Sequence, residues 1–345
     1  MNELVRVLVV DDSAYVRKVV GQMLGRSPFV EVVGTARDGQ EALELAAELN
    51  PDVITCDLNM PVMDGLAFVR AQMAERPTPI VIISIAAGAG EQVLAALDAG
   101  AVDFVQKPTA LATERLMDMA DELVDKVKAA ARAPRRRPGA AAAAVEELPP
   151  IVRKSPGAYD LVVLGISTGG PQALKQIMPQ FPADFPVPIA IVLHMPVGYT
   201  EMYAQKLDEM CHLHVVEAAE GQVVSAGTVL IAPGGRHLTV VRAGAEVVAH
   251  LDLRPLDMTH RPAADVLFQS AAEVYGERVL GVVMTGMGSD GRDGAAWIKA
   301  RGGSILTEAE ETCVVYGMPR SVAEAGLSDA VVPLDRMARA IMERV

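Results

Sequence analysis

Along the first 130 residues, short continuous apolar runs alternate with longer stretches of helical period. The runs are VRVLVV from Val5, FVEVVGTA from Phe29, DVITCD from Asp52, PIVIIS from Pro79 and VDFVQ from Val102. Helical stretches follow at 13–25, 39–49, 64–75, 90–99 and 110–130. A strand with one wet face alternates apolar and polar residues, whereas a parallel strand covered on both faces by crossover helices is apolar throughout. Five βα units of this kind predict a doubly wound parallel sheet. Beyond residue 156 the theme returns with DLVVLG, VPIAIVLH, HLHVV, RVLGVVMT and GSILT, interleaved with helical stretches. One pair, HLTVV and EVVAHL separated by Arg242–Ala245, reads as an antiparallel hairpin. The fold class is therefore α/β: a five-stranded N-terminal domain and a Rossmann-like C-terminal one with a small hairpin.

Between them, residues 130–150 read AARAPRRRPGAAAAAVEELPP, low in complexity and unlike either flank. The expected division is a first domain at 1–128, an Ala/Arg/Pro-rich linker at 129–157 and a second domain at 158–345. Charge follows the same division. Lys and Arg against Asp and Glu count 11 to 20 over residues 1–130, 6 to 2 over 131–155 and 14 to 22 over 156–345, or −9, +4 and −8. Two acidic domains on a basic tether are poor ligands for nucleic acid, and Arg135 to Arg137 read as a solvated linker.

No apolar run approaches the roughly 20 residues of a membrane span, and the first residues carry no export signal. Cys56, Cys211 and Cys313 are odd in number and lack metal-ligand spacing, so neither a disulfide framework nor a zinc site is expected. A cytoplasmic protein fits best.

In an open parallel sheet, groups at the carboxyl ends of the strands converge on one edge, where ligands bind. Asp11 and Asp12 end the first strand, Asp57 the third and Ser84 the fourth, and Lys107 follows the fifth. Adjacent carboxylates repel unless a hard cation or an ammonium partner neutralises them, so Mg²⁺ and Lys107 are the expected counter-charges. A lone Asp is ordinarily a helix cap or a solvated acid; four successive strand ends carrying such groups reverse that expectation.

In the second domain, Gly165-Ile-Ser167-Thr168-Gly169-Gly170 follows a strand and precedes a helix. Such a turn serves equally to expose a nucleophile or to cradle a phosphate. His194 ends the next strand and is the best general base of six histidines; Asp290, in the Gly-rich turn after RVLGVVMT, can orient it. The order Ser, His, Asp differs from that of α/β-hydrolases. His212, His214, His237 and His250 read as structural, His260 as a residue that starts a helix beside Arg261-Pro262, more often structural than cleft-lining, and Cys313 as a buried small residue.

The stretch Asp57–Gly65 with Asp11-Asp12 and Lys107-Pro108 resembles the receiver domain of response regulators. By that resemblance Asp57 is the phospho-acceptor, Asp11, Asp12, Asp57 and the carbonyl of Asn59 hold Mg²⁺, and Ser84, Phe104 and Lys107 relay the switch. Gly165–Gly170, His194–Thr200, His260–Phe268, Met284–Gly291 and Cys313–Arg320 resemble the chemotaxis response regulators that are protein-glutamate methylesterases. That likeness implies Ser167 as nucleophile, His194 as acid/base, Asp290 as its orienter, and Met287 with Thr168 at the oxyanion. It further implies methylated chemoreceptor cytoplasmic domains as substrate, release of methanol, deamidation of receptor glutamines, a chemotaxis-type histidine kinase as phosphodonor, and no cofactor for the esterase step.

Overall fold

The computed structural model describes residues 4–85, 90–107, 113–133 and 157–345. Arg135 to Arg137 with most of the expected linker, the loop after Ile85, and Pro108 lie outside the described residues. The chain divides into two compact units, Met1–Ala141 and Ala142–Val345.

The first unit runs β1 Val5–Val10, α1 Ala14–Leu24, β2 Val30–Ala36, α2 Gly39–Leu49, β3 Val53–Cys56, α3 Gly65–Glu75, β4 Ile80–Ile85, α4 Gly90–Asp98, β5 Asp103–Lys107 and α5 Thr113–Ala131. Its five strands pair in parallel in the order β2-β1-β3-β4-β5. Every strand read from the apolar runs forms; central β3 is buried along its whole length, whereas edge strand β2 is buried only at its two ends, and Val7, Val9, Val53, Val81, Ile83 and Val105 share one core with helical Leu24 and Leu123. Three helix starts are set locally: the side chains of Ser13, Asp38 and Asp64 accept the N–H of Val16, Glu41 and Ala67. Such caps contribute about 1 kcal/mol each and fix where the strand-end loops stop.

The second unit runs β6 Leu161–Ile166, α6 Gly170–Ile177, β7 Ile189–Leu193, α7 Thr200–Asp208, β8 His214–Glu217, β9 Thr228–Ile231, the hairpin β10 His237–Ala243 and β11 Glu246–Asp252, and α8 Ala264–Tyr275. It continues with β12 Val279–Val283, α9 Arg292–Ala300, β13 Ser304–Glu308, α10 Met318–Glu324, β14 Ala330–Val332 and α11 Leu334–Met342. Seven parallel strands order as β14-β13-β12-β6-β7-β9-β8.

Three details differ from expectation. The sheet gains β9 and β14, of four and three residues, too short for periodicity to separate from apolar loop. Strand β8 begins at His214, leaving His212 outside it. The hairpin is longer than its apolar residues: Arg242 pairs with Val247 and Ala243 with Glu246, leaving Gly244-Ala245 as the turn. Among the described residues no helix is long and apolar enough to cross a membrane.

Candidate active site and acidic cluster

Strands β1 and β3 are neighbours, so the residues that follow them meet: carboxylate oxygens of Asp11, Asp12 and Asp57 lie within 4.8 Å of one another. Lys107 ends β5, two strands from β3, a lateral distance of about 10 Å at ordinary strand spacing. Its long side chain spans that gap, and Nζ donates to Asp11 Oδ2 at 2.7 Å and Asp57 Oδ1 at 2.8 Å. Asp11 and Asp57 are buried and Asp12 is exposed. Burial pushes the Asp57 carboxyl up, with Lys107 opposing the rise incompletely. Burial also works against the Lys107 charge, yet its bonds to Asp11 and Asp57 hold it above the ordinary range. Three carboxylates against one ammonium leave the fully ionised cluster negative. An all-oxygen, anionic donor set fits a hard cation such as Mg²⁺.

Arg17 braces this loop by donating from Nη1 to the carbonyls of Asp11 at 2.7 Å and Asp12 at 3.1 Å. Asn59 is exposed in the turn after Asp57. Ser84 is fully buried in β4, and its hydroxyl makes no hydrogen bond. Phe104 is buried in β5 with Lys126 Nζ 5.5 Å over its ring. Neither Ser84 nor Phe104 is bonded to the carboxylates in this state.

In the second unit, Ser167 follows β6, His194 follows β7 and Asp290 lies in the turn after β12; these strands are adjacent as β12-β6-β7. The Ser167 N–H donates to Thr285 O at 2.9 Å, and the His194 N–H to Ile166 O at 3.2 Å, so the backbones of three turns are stitched together. The strand-to-helix turn needs glycine at Gly169, where φ is +80° and a Cβ would lie 2.5 Å from Val314 Cγ2.

The imidazole Nε2 of His194 lies 2.7 Å from Asp290 Oδ2, and both side chains are buried. Burial alone would raise the Asp290 carboxyl; the bond to His194 and the N–H groups of Asp265 and Ala264 outweigh it and hold it below the usual carboxylate range. With Asp290 ionised, Nε2 carries the hydrogen, and Nδ1, buried and without a partner, is left with its lone pair. The ring is thus used in the opposite sense to the familiar serine-protease arrangement, where the acid meets Nδ1.

Among the described residues, no backbone carbonyl pairs the Met287 N–H. Thr168 is buried, and its carbonyl accepts the Thr285 hydroxyl at 2.9 Å. Asp290 does not cap its own helix α9, where Gly291 stands at the cap; it instead accepts the N–H groups of Ala264 and Asp265 at the start of α8.

His260 does not start α8 but precedes it, and its ring stacks on that of His194 with centroids 4.2 Å apart and planes 23° from parallel. His237 is wholly buried, with Nδ1 accepting the Ala263 N–H at 3.2 Å. His214 and His250 pair with Asp208 and Glu220. Burial drives the Cys313 thiol far above its ordinary range, so it is a packing residue.

Two residues of the site were not picked out by sequence reasoning. Glu308, the last residue of β13, is fully buried; Oε2 accepts the Thr285 N–H at 2.9 Å and Oε1 the Thr312 hydroxyl at 3.0 Å, and burial pushes it up to about 7. A charged residue closing an apolar strand was the available signal. The other, Asp265, carried none, because a first-turn aspartate looks like any helix start.

Known proteins share this organisation. Residues 162–341 match the CheB methylesterase family model, and residues 7–121 that of the response regulator receiver domain. A protein-glutamate methylesterase/protein-glutamine glutaminase of Myxococcus xanthus is 50% identical over 335 residues, covering 96% of each chain. Its counterpart from Symbiobacterium thermophilum is 47% identical over 359 residues, covering 99% of this chain and 97% of its own. The crystal structure of the Thermotoga maritima CheB methylesterase catalytic domain is 43% identical, spans 54% of this chain and 99% of its own, and superposes with a TM-score of 0.53.

Proposed function

The chain belongs to the CheB methylesterase family, with a response-regulator receiver ahead of the catalytic domain, and from that membership we propose how it works. It is a hydrolase of the protein-glutamate methylesterase/protein-glutamine glutaminase type, controlled by phosphorylation and acting on chemoreceptors. The receiver takes residues 1–128 and the catalytic domain 158–345, joined by the linker at 129–157. The protein works in the cytoplasm on methylated receptor domains and takes its phosphoryl group from a chemotaxis-type histidine kinase.

The observation that carries the catalytic assignment is the 2.7 Å bond of His194 Nε2 to Asp290 beside the Ser167 turn, with Nδ1 left unpartnered. Ser167 Oγ attacks the γ-carbonyl carbon of a glutamate methyl ester while its proton passes to His194 Nδ1. Asp290 stabilises the imidazolium. The Met287 N–H and Thr168 bind the oxyanion, each such donor being worth about 3 kcal/mol. Collapse breaks the C–O bond to methoxide, which takes the proton from His194 and leaves as methanol. Water then attacks the acyl-enzyme, gives a proton to His194, and collapse returns that proton to Ser167 with release of the glutamate carboxylate. A glutamine side chain follows the same course with ammonia as the leaving group.

In the receiver, Asp57 is the phospho-acceptor, and Asp11, Asp12, Asp57 and the Asn59 carbonyl hold the metal. Mg²⁺, when bound there, neutralises phosphoryl charge. Lys107 pairs with the charge gained by Asp57, and the unpartnered hydroxyl of buried Ser84 is free to donate to a phosphoryl oxygen. Phe104 relays the switch together with Ser84 and Lys107.

The test is methanol release from methylated receptor cytoplasmic fragments, with and without a small phosphodonor and Mg²⁺. Stimulated release that disappears in Ser167→Ala is expected. Release that persists in that variant defeats the nucleophile assignment, and release indifferent to phosphodonor defeats the control.

A further inference from the structure

Two helix starts meet at the acid of the proposed triad. Helix α8 follows Ala263, whose methyl group cannot cap it, and α9 follows Gly291, which has no side chain. The first N–H groups of any α-helix lack intrahelical partners. Here they are satisfied by exchange. Asp290, just ahead of α9, accepts the Ala264 N–H on Oδ2 at 2.6 Å and the Asp265 N–H on Oδ1 at 2.9 Å, both at the start of α8. Asp265, in the first turn of α8, accepts the Gly291 N–H at 2.9 Å and the Gly294 N–H at 2.6 Å on its own Oδ1, both at the start of α9. Gly294 permits the close approach, since a Cβ there would lie 2.6 Å from Phe268 Cβ and 2.9 Å from Asp265 Cα.

The exchange has a mechanical consequence. The backbone next to Asp290 is held by Asp265, and the plane of the Asp290 carboxylate is held by α8, so neither can turn without breaking a cap on the other helix. Two carboxylates side by side repel, but each sits at a helix N-terminus, where the partial positive charge of free N–H groups favours an anion. Burial and the neighbouring Asp290 raise the Asp265 carboxyl while the Gly294 N–H opposes that rise, so Asp290 is the member of the pair kept ionised. That is the member that meets His194.

We propose that Asp265 is a positioning residue of the esterase site, fixing through the reciprocal caps of α8 and α9 the orientation in which Asp290 meets His194. The proposal rests on the triad assignment above. Asp265 touches neither substrate nor imidazole in this role; its effect passes through Asp290.

The test uses the full-length chain, methylated receptor fragments, and the ring ¹⁵N signals of His194 recorded without substrate. Asp265→Ala removes the acceptor; Asp265→Asn keeps a carbonyl oxygen for the two glycine N–H groups. In Asp265→Ala, kcat falls about 100-fold with KM within twofold, the scale expected for a misplacement of about 1 Å, and the His194 ring signals move. In Asp265→Asn, kcat stays within about threefold of wild type and the ring signals stay in place. Wild-type kcat in the alanine variant, a loss confined to KM, or an asparagine variant as slow as alanine overturns the proposal. Should Asp265→Ala fail to fold, Asp265→Asn decides: wild-type ring signals and turnover support it, and displaced ones overturn it. A wild type no faster than Ser167→Ala overturns the triad reading instead, and the ring signals still decide whether Asp265 positions His194.

Discussion

Both proposed sites lie at the carboxyl edge of a parallel sheet, yet they are held together by different forces. In the receiver, three carboxylates converge and one lysine reaches across one intervening strand to Asp57 and across two to Asp11. That site is an electrostatic device, poised to gain a cation and a phosphoryl group. The catalytic domain instead sets one carboxylate against one imidazole, with the carboxylate held by two N–H groups at the start of α8 and the main chain of His194 held by the carbonyl of Ile166. What matters there is orientation. The carboxyl edge of a parallel sheet therefore supports a site that responds to charge and one that depends on geometry.

The geometric site loses most when its acid is removed. Asp290→Ala is expected to lower kcat for receptor methyl esters by about 10⁴-fold, the scale of losing a triad acid. A loss below tenfold would mean that His194 needs no fixed partner. In the electrostatic site the counterpart is Lys107→Ala, which leaves Asp11 and Asp57 facing each other without their cation. Urea unfolding of the receiver should show a loss of about 4 kcal/mol, and a larger stabilisation by Mg²⁺ than in wild type. Equal Mg²⁺ stabilisation in both proteins would count against the lysine as counter-charge.

Glu308 places a titrating group inside the geometric site. Its folded pKa of about 7 exceeds the ordinary 4.5, so the folded state binds more protons between those values. Stability from this group is present below the lower value and is lost as pH rises towards and through the upper one, by about 3 kcal/mol in all. Denaturant midpoints of the catalytic domain compared at pH 5 and pH 8 should show that fall, and Glu308→Gln should flatten it. The smallest effect is expected at Arg17, whose guanidinium braces the carbonyls of Asp11 and Asp12. Arg17→Ala should weaken Mg²⁺ binding about fivefold by calorimetry, roughly 1 kcal/mol.

Much of the fold and of both sites is legible in the sequence. Buried parallel strands must be apolar on both faces, so VRVLVV and VPIAIVLH could be placed without ambiguity, and the residues closing such runs had to lie at one edge. That reasoning brought Asp11, Asp12, Asp57 and Lys107 together, and Ser167 beside His194. It did not find β9 or β14, because three or four apolar residues carry no period. It extended the hairpin turn over Arg242 and Ala243, because exposed strand residues look like loop. It also missed the stacking of His260 on His194, since neither residue's neighbours in sequence bear on the other.

Local preferences are written along the chain: which segments are strands, where helices start, and which polar groups stand at strand ends. How those groups pair depends on the assembled fold. Nothing in the chain says that Asp290 meets Nε2 rather than Nδ1, that Asp265 and Asp290 cap each other's helices, or that Glu308 takes the Thr285 N–H. Those contacts join residues more than twenty positions apart and depend on strand order, helix approach and side-chain rotamer together. Periodicity reports the burial of a segment against a surface, whereas directional hydrogen bonds need the position of a second segment that the local pattern does not contain.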